Sequence, residues 1–493
     1  MRPLQKLASE TALYGLSSVV GRVLNYLLVP FYTSVFLPAE YGVITEWYAY
    51  AAFLQVLYTY GMETAYFRFA QREPAAFDLA LSVLLTSSLI FSGLLVLFAI
   101  PITAALACPG QEHYIHYFAA IVALDTVLSI PFAQLRLQKR ARFFAITKLL
   151  QIGVNITLNL ALLYVRTHLA TGHLPSWIAH WYDPARSVEY VFLANLLATM
   201  AALPLLGPSL VKVKFRLPWQ QLRPMLVYAF PLLLMGSAGA VNEMLSRAML
   251  RHWLPVGFYP GQSNEEVLGI FGACYKLAVF MQLGIQAFRY AAEPFFFTQA
   301  QQRNAPALFS TVMHGFILGA CFILFAVSAN LDLLGHLFLR QAAYRAAIDI
   351  VPYLMLGYLL LGMYFNLSVW FKITDRTYYG TGLTVTGALV NIVLNRLLVP
   401  QLGYWGSVWA TVASYASMTA LCYYWGQKYY PIPYRLGHQL LYIGGTLVSV
   451  YLARSLSYTN FPQAVVSNLL LTILFGGMLY GLRQRGAATT STD

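Results

Sequence analysis

Charge is what this sequence has least of. Only 10% of its 493 residues are Asp, Glu, Lys or Arg, where a soluble domain carries roughly 25%. So few polar groups cannot cover a globular surface in water, which excludes an ordinary soluble protein. Cysteine is sparse as well. Cys108, Cys274, Cys321 and Cys422 are far apart, with no CxxC and no histidine at ligand spacing, so neither a disulfide framework nor a metal site is expected. No P-loop is present, so this chain hydrolyses no ATP, and no cofactor is expected. No loop exceeds roughly two dozen residues, which leaves no room for an appended catalytic domain. The opening MRPLQKLASE is short and polar. The apolar run after it outlasts a signal peptide and contains Arg22, so no cleavable signal is expected.

Hydrophobic residues are what fill the chain, 59% of it. A bilayer core about 30 Å thick needs about 20 residues of helix, and runs of that length recur throughout. They fall at 11–36, 43–69, 79–106, 114–137, 143–165, 188–206, 222–250, 267–289, 307–331, 350–371, 379–399, 405–424, 439–456 and 463–482. The expected fold is an all-α polytopic membrane protein of about fourteen transmembrane helices. Lys and Arg outnumber Asp and Glu by 31 to 18. No basic stripe with interleaved aromatics lies outside the spans, so nucleic acid is not an expected partner. The surplus instead sits in alternate loops. With the N-terminus inside, twenty basic residues fall on the cytoplasmic side and six on the outer side. The positive-inside rule then places both termini in the cytoplasm. The longest outer loop, about 166–187, holds His168, His173, His180, Trp177 and Trp181, which suit an interfacial position better than a metal site.

The chain also repeats itself. Val154-Asn155-Ile156-Thr157-Leu158-Asn159 in span five reads like Val390-Asn391-Ile392-Val393-Leu394-Asn395 in span eleven. At the same offset Arg136 falls on Lys372 and Arg140 on Arg376. Gly42, Tyr48, Ala51, Phe53 and Gln55 of span two fall on Gly269, Tyr275, Ala278, Phe280 and Gln282 of span eight. Span n matches span n+6, and six is even, so the copies share one orientation. This predicts two six-helix bundles, 1–210 and 211–430, followed by two further helices and a short tail, 431–493.

That architecture resembles the MOP exporter superfamily, and within it the polysaccharide-biosynthesis flippases. The resemblance covers nearly the whole chain. It is carried by GLSSVVGRVLNYLLVPFYTSVFLP in span one, AEYGVITEWYAY at the start of span two, and VNIVLNRLLVPQLGYWGSVWATVAS late in the second bundle. In the last of these, Asn-x3-Asn is followed by Pro400, Gly403 and Gly406. The resemblance implies an inner-membrane flippase of a bacterium, not an enzyme. Its cargo would be a polyprenyl-diphosphate-linked oligosaccharide, a repeat unit of a cell-surface polysaccharide such as lipopolysaccharide. Membrane lipids and polysaccharide polymerase machinery are the partners it suggests.

Ionisable residues inside spans are costly, and face a cavity or a partner. Arg22 lies mid-span in the first helix, with Asn25 on the same face. Glu243 and Arg247 are four apart in span seven, Lys276 is in span eight and Arg396 is in span eleven. In the resembled family, basic residues in a central cavity bind the lipid diphosphate, a role these positions inherit as expectations. Guanidinium and ammonium groups in a low-dielectric cavity hold phosphate through charge-assisted bonds. Asp125, central in span four, is the candidate for a coupling relay, though a satisfied helix–helix hydrogen bond is the better reading of a single buried carboxylate. Asn155, Asn159, Asn391 and Asn395 read as interhelical glue. A cation-coupled multidrug exporter of the same superfamily is the first rival, though the basic residues favour an anionic cargo. A membrane-embedded polymerase or glycosyltransferase is the second, and a channel the third.

Overall fold

The computed structural model describes Leu24 and residues 26–70, 73–169, 182–300, 302–456 and 460–488, without the side chains of 245, 290, 291, 293, 294 and 482–488. Among these residues there are helices and no strands. The chain divides into two compact units, Met1–Ala248 and Met249–Asp493.

Unit one contains α1 (Val29–Val35), α2 (Pro38–Thr59), α3 (Met62–Phe69), α4 (Ala76–Leu97), α5 (Ala99–Ala105), α6 (Glu112–Leu137) and α7 (Ala141–Leu169). It continues with α8 (Ser187–Met200), α9 (Leu203–Val211) and α10 (Trp219–Ala240). A π-turn at Val241–Leu245 leads into α11 (Ser246–Trp253), where the units divide. Unit two holds α12 (Asn264–Gln299), α13 (Ala305–Ala329), α14 (Leu331–Phe338), α15 (Val351–Leu367), α16 (Val369–Ile373), α17 (Tyr378–Leu402), α18 (Tyr404–Tyr429), α19 (Leu436–Ser455) and α20 (Phe461–Ala488).

Ten of the described helices are long and apolar enough to cross a membrane, and the α8–α9 pair, bent by 51°, makes an eleventh. Predicted spans two and twelve correspond to α2–α3 and α18, which are long but more polar. Of their polar residues, Glu63 pairs with Arg136, Arg68 lies over Tyr228, and Ser407 and Ser414 bond α17, while Glu46 and Thr411 bond within their own helices. Span one is described only from Leu24 on. The membrane character shows on the surface: Leu89, Leu97, Ile100, Ile473 and Leu474 are each 69–73% exposed, in numbers that water would not tolerate.

In unit one the central helix is α6, which packs against α2, α4, α7 and α8. One end of this bundle is cemented by rings. Trp47 stacks on Phe118 at 5.8 Å, Phe118 meets Phe192 at 4.7 Å, and the Trp47 Nε1 donates to Gln111 at 2.8 Å. The other end is an aliphatic cluster around Met62, Leu79, Leu84, Ile130 and Met225. In unit two α15 takes the corresponding place, packed on α12, α13 and α18. Span four and span ten, paired by the repeat, are thus the centres of their own bundles.

The repeat reaches into the turns. Lys139 and Asp375, 236 positions apart, both adopt left-handed backbone, with φ of 54° and 57°. The amides of Arg140 and Arg376 then close the same six-residue loop onto Leu135 and Phe371, both at 2.9 Å. This is the Schellman ending of a helix, made twice without glycine. Of the prolines inside predicted spans, Pro30 and Pro352 stand in the first turns of α1 and α15, where their missing N–H costs nothing. Pro231 lies within α10.

The glycine steps behave differently from their spacing. Gly315/Gly319 and Gly477/Gly481 suggest close helix contact, yet a Cβ at any of the four would meet nothing within 4 Å. Close approach is made elsewhere in unit two. A Cβ on Gly284 would strike Ile323 at 2.6 Å, and one on Gly406 would strike the Leu398 backbone at 2.5 Å. All four cysteines are buried, and none forms a disulfide.

Candidate functional site

The π-turn falls on Val241-Asn242-Glu243-Met244-Leu245, the segment with the charges of span seven. Wide π-turns inside α-helices recur at functional sites because they re-aim side chains. Glu243 is at the centre of the wide turn and Arg247 just beyond it, in the first turn of α11, so the ordinary α-helical spacing does not relate the two. Arg247 is 8% exposed, and its Nη2 lies 3.5 Å from the Met244 sulfur. Tyr41 of α2 lies within the field of the same guanidinium. Asn242 is buried beside it. Glu243, Arg247 and Lys276 all make a hydrogen bond, charge or ring contact. Arg22 and Asn25 lie outside the described residues, as do His173, His180, Trp177 and Trp181 of the long outer loop.

In unit two, Lys276 is half-buried on α12, between buried Tyr275 and Leu277. That helix is the most interior of the spans: 72% of its apolar window is buried, against 17% for α7. Arg396 stands apart. It is exposed on α17, on the same side of the helix as Leu389, Val393 and Leu397, which are 53–58% exposed.

The paired asparagines are joined identically in the two copies. Asn159 Nδ2 donates to the Asn155 carbonyl at 2.8 Å and to its side-chain oxygen at 3.0 Å. Asn395 does the same to Asn391, at 2.9 Å for both. Each second asparagine then accepts from another helix: Asn159 from Tyr32 of α1 at 2.8 Å, and Asn395 from Ser407 of α18 at 2.6 Å. Interhelical glue is what the spacing predicts, and it is what the pairs do.

Asp125 sits in a polar chain that the sequence did not announce. Thr199 of α8 donates to its Oδ1 at 3.2 Å, Gln151 of α7 donates to Thr199 at 3.4 Å, and Lys148 donates to Gln151 at 3.3 Å. The Lys148 ammonium also rests 4.0 Å from the centre of the Phe132 ring and acts electrostatically on Asp125. On the other side of α6, Gln55 of α2 donates to Thr126 at 3.3 Å. Near Lys148, Arg136 pairs with Glu63 and lies 5.0 Å over Phe67. An acid and a base thus lie inside one bundle, joined through two neutral side chains across three helices. Lys148 escaped notice because it lies near the start of an otherwise apolar span, where a lysine reads as loop charge. The charges of span two are likewise spent on neighbours: Glu46 accepts from Tyr50 at 2.8 Å, and Arg68 lies 4.3 Å over Tyr228. His314 packs on Tyr442.

Unit two has a cavity of about 500 Å³ walled by α12, α13 and α20. Gly315, Gly319 and Gly476 line it, with Phe288, Phe322 and Leu479 among its apolar side chains. The glycines of α13 therefore make room where spacing alone suggests contact.

Two bundles of matched geometry with a further helix pair at the C-terminal end define the class: the chain has the fold of the MOP exporter superfamily. A lipid II flippase, MurJ, solved in an inward closed conformation, matches 97% of this chain and 99% of its own, with a TM-score of 0.72 at 12% identity. An inward-facing multidrug resistance MATE transporter matches 85% of this chain and 94% of its own, with a TM-score of 0.62 at 15% identity. The Vibrio cholerae MATE transporter VcmN matches 86% and 96%, with a TM-score of 0.55 at 12% identity. Within that fold, residues 35–170, from α2 through α7, match the family model described as polysaccharide biosynthesis protein, the family the sequence resembles. No curated protein matches the chain in sequence.

Proposed function

We propose that this protein is a flippase that carries a polyprenyl-diphosphate-linked oligosaccharide across a bacterial inner membrane by alternating access. The observation that carries the reading is the near full-length likeness to a lipid II flippase, joined to the polysaccharide-biosynthesis match over 35–170. These two MATE transporters leave 14–15% of this chain unmatched, a share comparable to the C-terminal segment 431–493. The duplicated bundles run 1–210 and 211–430 in this reading, with 431–493 appended and both termini cytoplasmic. No step of the proposed cycle makes or breaks a covalent bond.

The diphosphate must lose water to pass the midplane. Arg22 and Arg247 in unit one and Lys276 in unit two supply the compensating charge, with Asn25 and Glu243 as further polar groups for the substrate. The exposure of Arg396 supports a place at the edge of the path or at the interface, where a long side chain reaches polar headgroups. The apolar cavity lined by Gly315 and Gly319 suits part of an isoprenoid tail, and α20 forms one of its walls. Asp125 is the coupling residue in this scheme, with Lys148 as its counter-charge.

The test is transbilayer movement of a defined polyprenyl-diphosphate sugar in proteoliposomes. Arg22→Ala and Lys276→Ala should each slow it at least about tenfold, the loss of roughly one charge-assisted contact. Gly319→Leu should slow it without lowering thermal stability. Unchanged flipping in both charge variants, with uptake of a cationic dye by the same vesicles, would favour the multidrug exporter.

A further inference from the structure

A second cavity, of about 430 Å³, lies wholly within unit one, where the first turn of α4, the α6–α7 turn and the end of α9 meet. We infer that it binds the headgroup of an anionic glycerophospholipid. Two cations stand at its edge, Arg140 in the turn and Lys212 at the end of α9, both exposed. Gln138 adds an amide donor. The acid in the lining, Asp78, is engaged by the backbone N–H of Lys214 at 3.3 Å. Lys139, Arg142, Lys214 and Arg216 follow within a few residues of the two cations, so the opening is strongly positive.

The remaining wall is mixed: Phe143 and Leu205 give it an apolar strip, beside the polar Gln134 and Ser209. The Arg140 guanidinium lies 5.0 Å over the Phe143 ring, which holds it at the rim. A small inorganic anion would use the cations alone. A phosphodiester lipid would use both features, phosphate on Arg140 and Lys212 and the start of its acyl chains along Phe143 and Leu205. The cavity lies where helices end, and the positive-inside topology expected from the sequence would put those ends at the headgroups of the inner leaflet. Each basic residue near an anionic surface contributes about 1 kcal/mol. The 51° bend between α8 and α9 carries Lys212 to this position, so the shape depends on a span that does not run straight.

The inference stands apart from the flippase reading. It is tested on the full chain in detergent by native mass spectrometry and thermal shift, with phosphatidylglycerol, phosphatidylcholine or inorganic phosphate added. The double variant Arg140→Gln/Lys212→Gln should hold phosphatidylglycerol roughly 10- to 30-fold less tightly, the equivalent of two such charges. Phosphatidylcholine binding should not change between the two proteins. A variant of equal charge change elsewhere, Lys428→Gln/Arg435→Gln, should bind phosphatidylglycerol like the wild type, and Arg140→Lys should restore part of the loss. Size-exclusion profiles establish that each variant is folded. Equal phosphatidylglycerol binding by wild type and the first double variant would overturn the inference. So would an equal loss in the control variant, or stabilisation by inorganic phosphate alone that matches the lipid's.

Discussion

Spans five and eleven begin from the same turn and carry the same asparagine pair, yet they differ where they meet their neighbours. In unit one, Lys148 and Gln151 reach across to Thr199 and Asp125. At the positions 236 residues on, unit two has Thr384 and Gly387. Thr384 bonds its own helix at the Gly380 carbonyl at 2.8 Å, and the Ser414 hydroxyl of α18 donates to the Gly387 carbonyl at 2.8 Å. One copy fills the helix interface with a chain of polar side chains that ends in a charge on either side. The other closes it backbone to backbone, with Gly406 against Leu398. A duplicated frame can therefore keep its turns and its polar glue while one half retains ionisable groups and the other gives them up for close packing. Without a water-driven hydrophobic effect between helices, both solutions rely on contact and hydrogen bonding. Only the first leaves groups that can change charge.

The comparison breaks first at Lys148. Lys148→Met removes the cation that ends the chain through Gln151 and Thr199 to Asp125 and should cost about 2 kcal/mol, the range for a lost hydrogen bond to a charged group. Thr384→Val at the matching position should cost less than about 1 kcal/mol. Thermal unfolding in detergent measures both, and equal losses would erase the asymmetry. Restored stability in Asp125→Asn/Lys148→Met, with transport still absent, would separate coupling from folding.

Next come the glycines. Gly406→Ala places a methyl against the Leu398 backbone and should cost roughly 1–3 kcal/mol. Gly153→Ala in α7 meets nothing within 4 Å and should gain about 0.5 kcal/mol. A loss at both sites would mean that α7 is packed as tightly as α18. Asn159→Leu and Asn395→Leu should behave alike, each costing about 1 kcal/mol for an interhelical bond inside a membrane. A large difference between them would show that the glue is not shared. The smallest effect belongs to the turns. Lys139→Gly should stabilise by about 0.5 kcal/mol, and Asp375→Gly by less, because Asp tolerates left-handed backbone better than Lys. Chemical denaturation of paired variants would rank them.

Much of the frame was legible beforehand. The predicted spans agree with the helices to within a few residues for α6, α13, α17 and α19. The asparagine pairs behave as their spacing and polarity suggest. The glycine steps do not, because small-xxx-small spacing records where a neighbour is able to approach and not whether one does. Lys148 was missed because a span's first turns normally carry snorkelling charge, and nothing local distinguishes a lysine that turns inward. The π-turn was equally silent. Its sequence, VNEML, contains no proline or glycine, and the wider winding shows only in the backbone.

The residues alone determined that this chain enters a membrane, that it does so through helices, and that its two halves share one design. Composition and periodicity suffice for that, because in lipid every backbone group must be bonded within its own helix. What only the tertiary structure decided is which polar side chains meet. Asp125 finds Lys148 through Thr199 and Gln151, and Arg140 shares a cavity with Lys212. These meetings depend on how helices rotate and bend against one another, and no single helix records that in its own sequence.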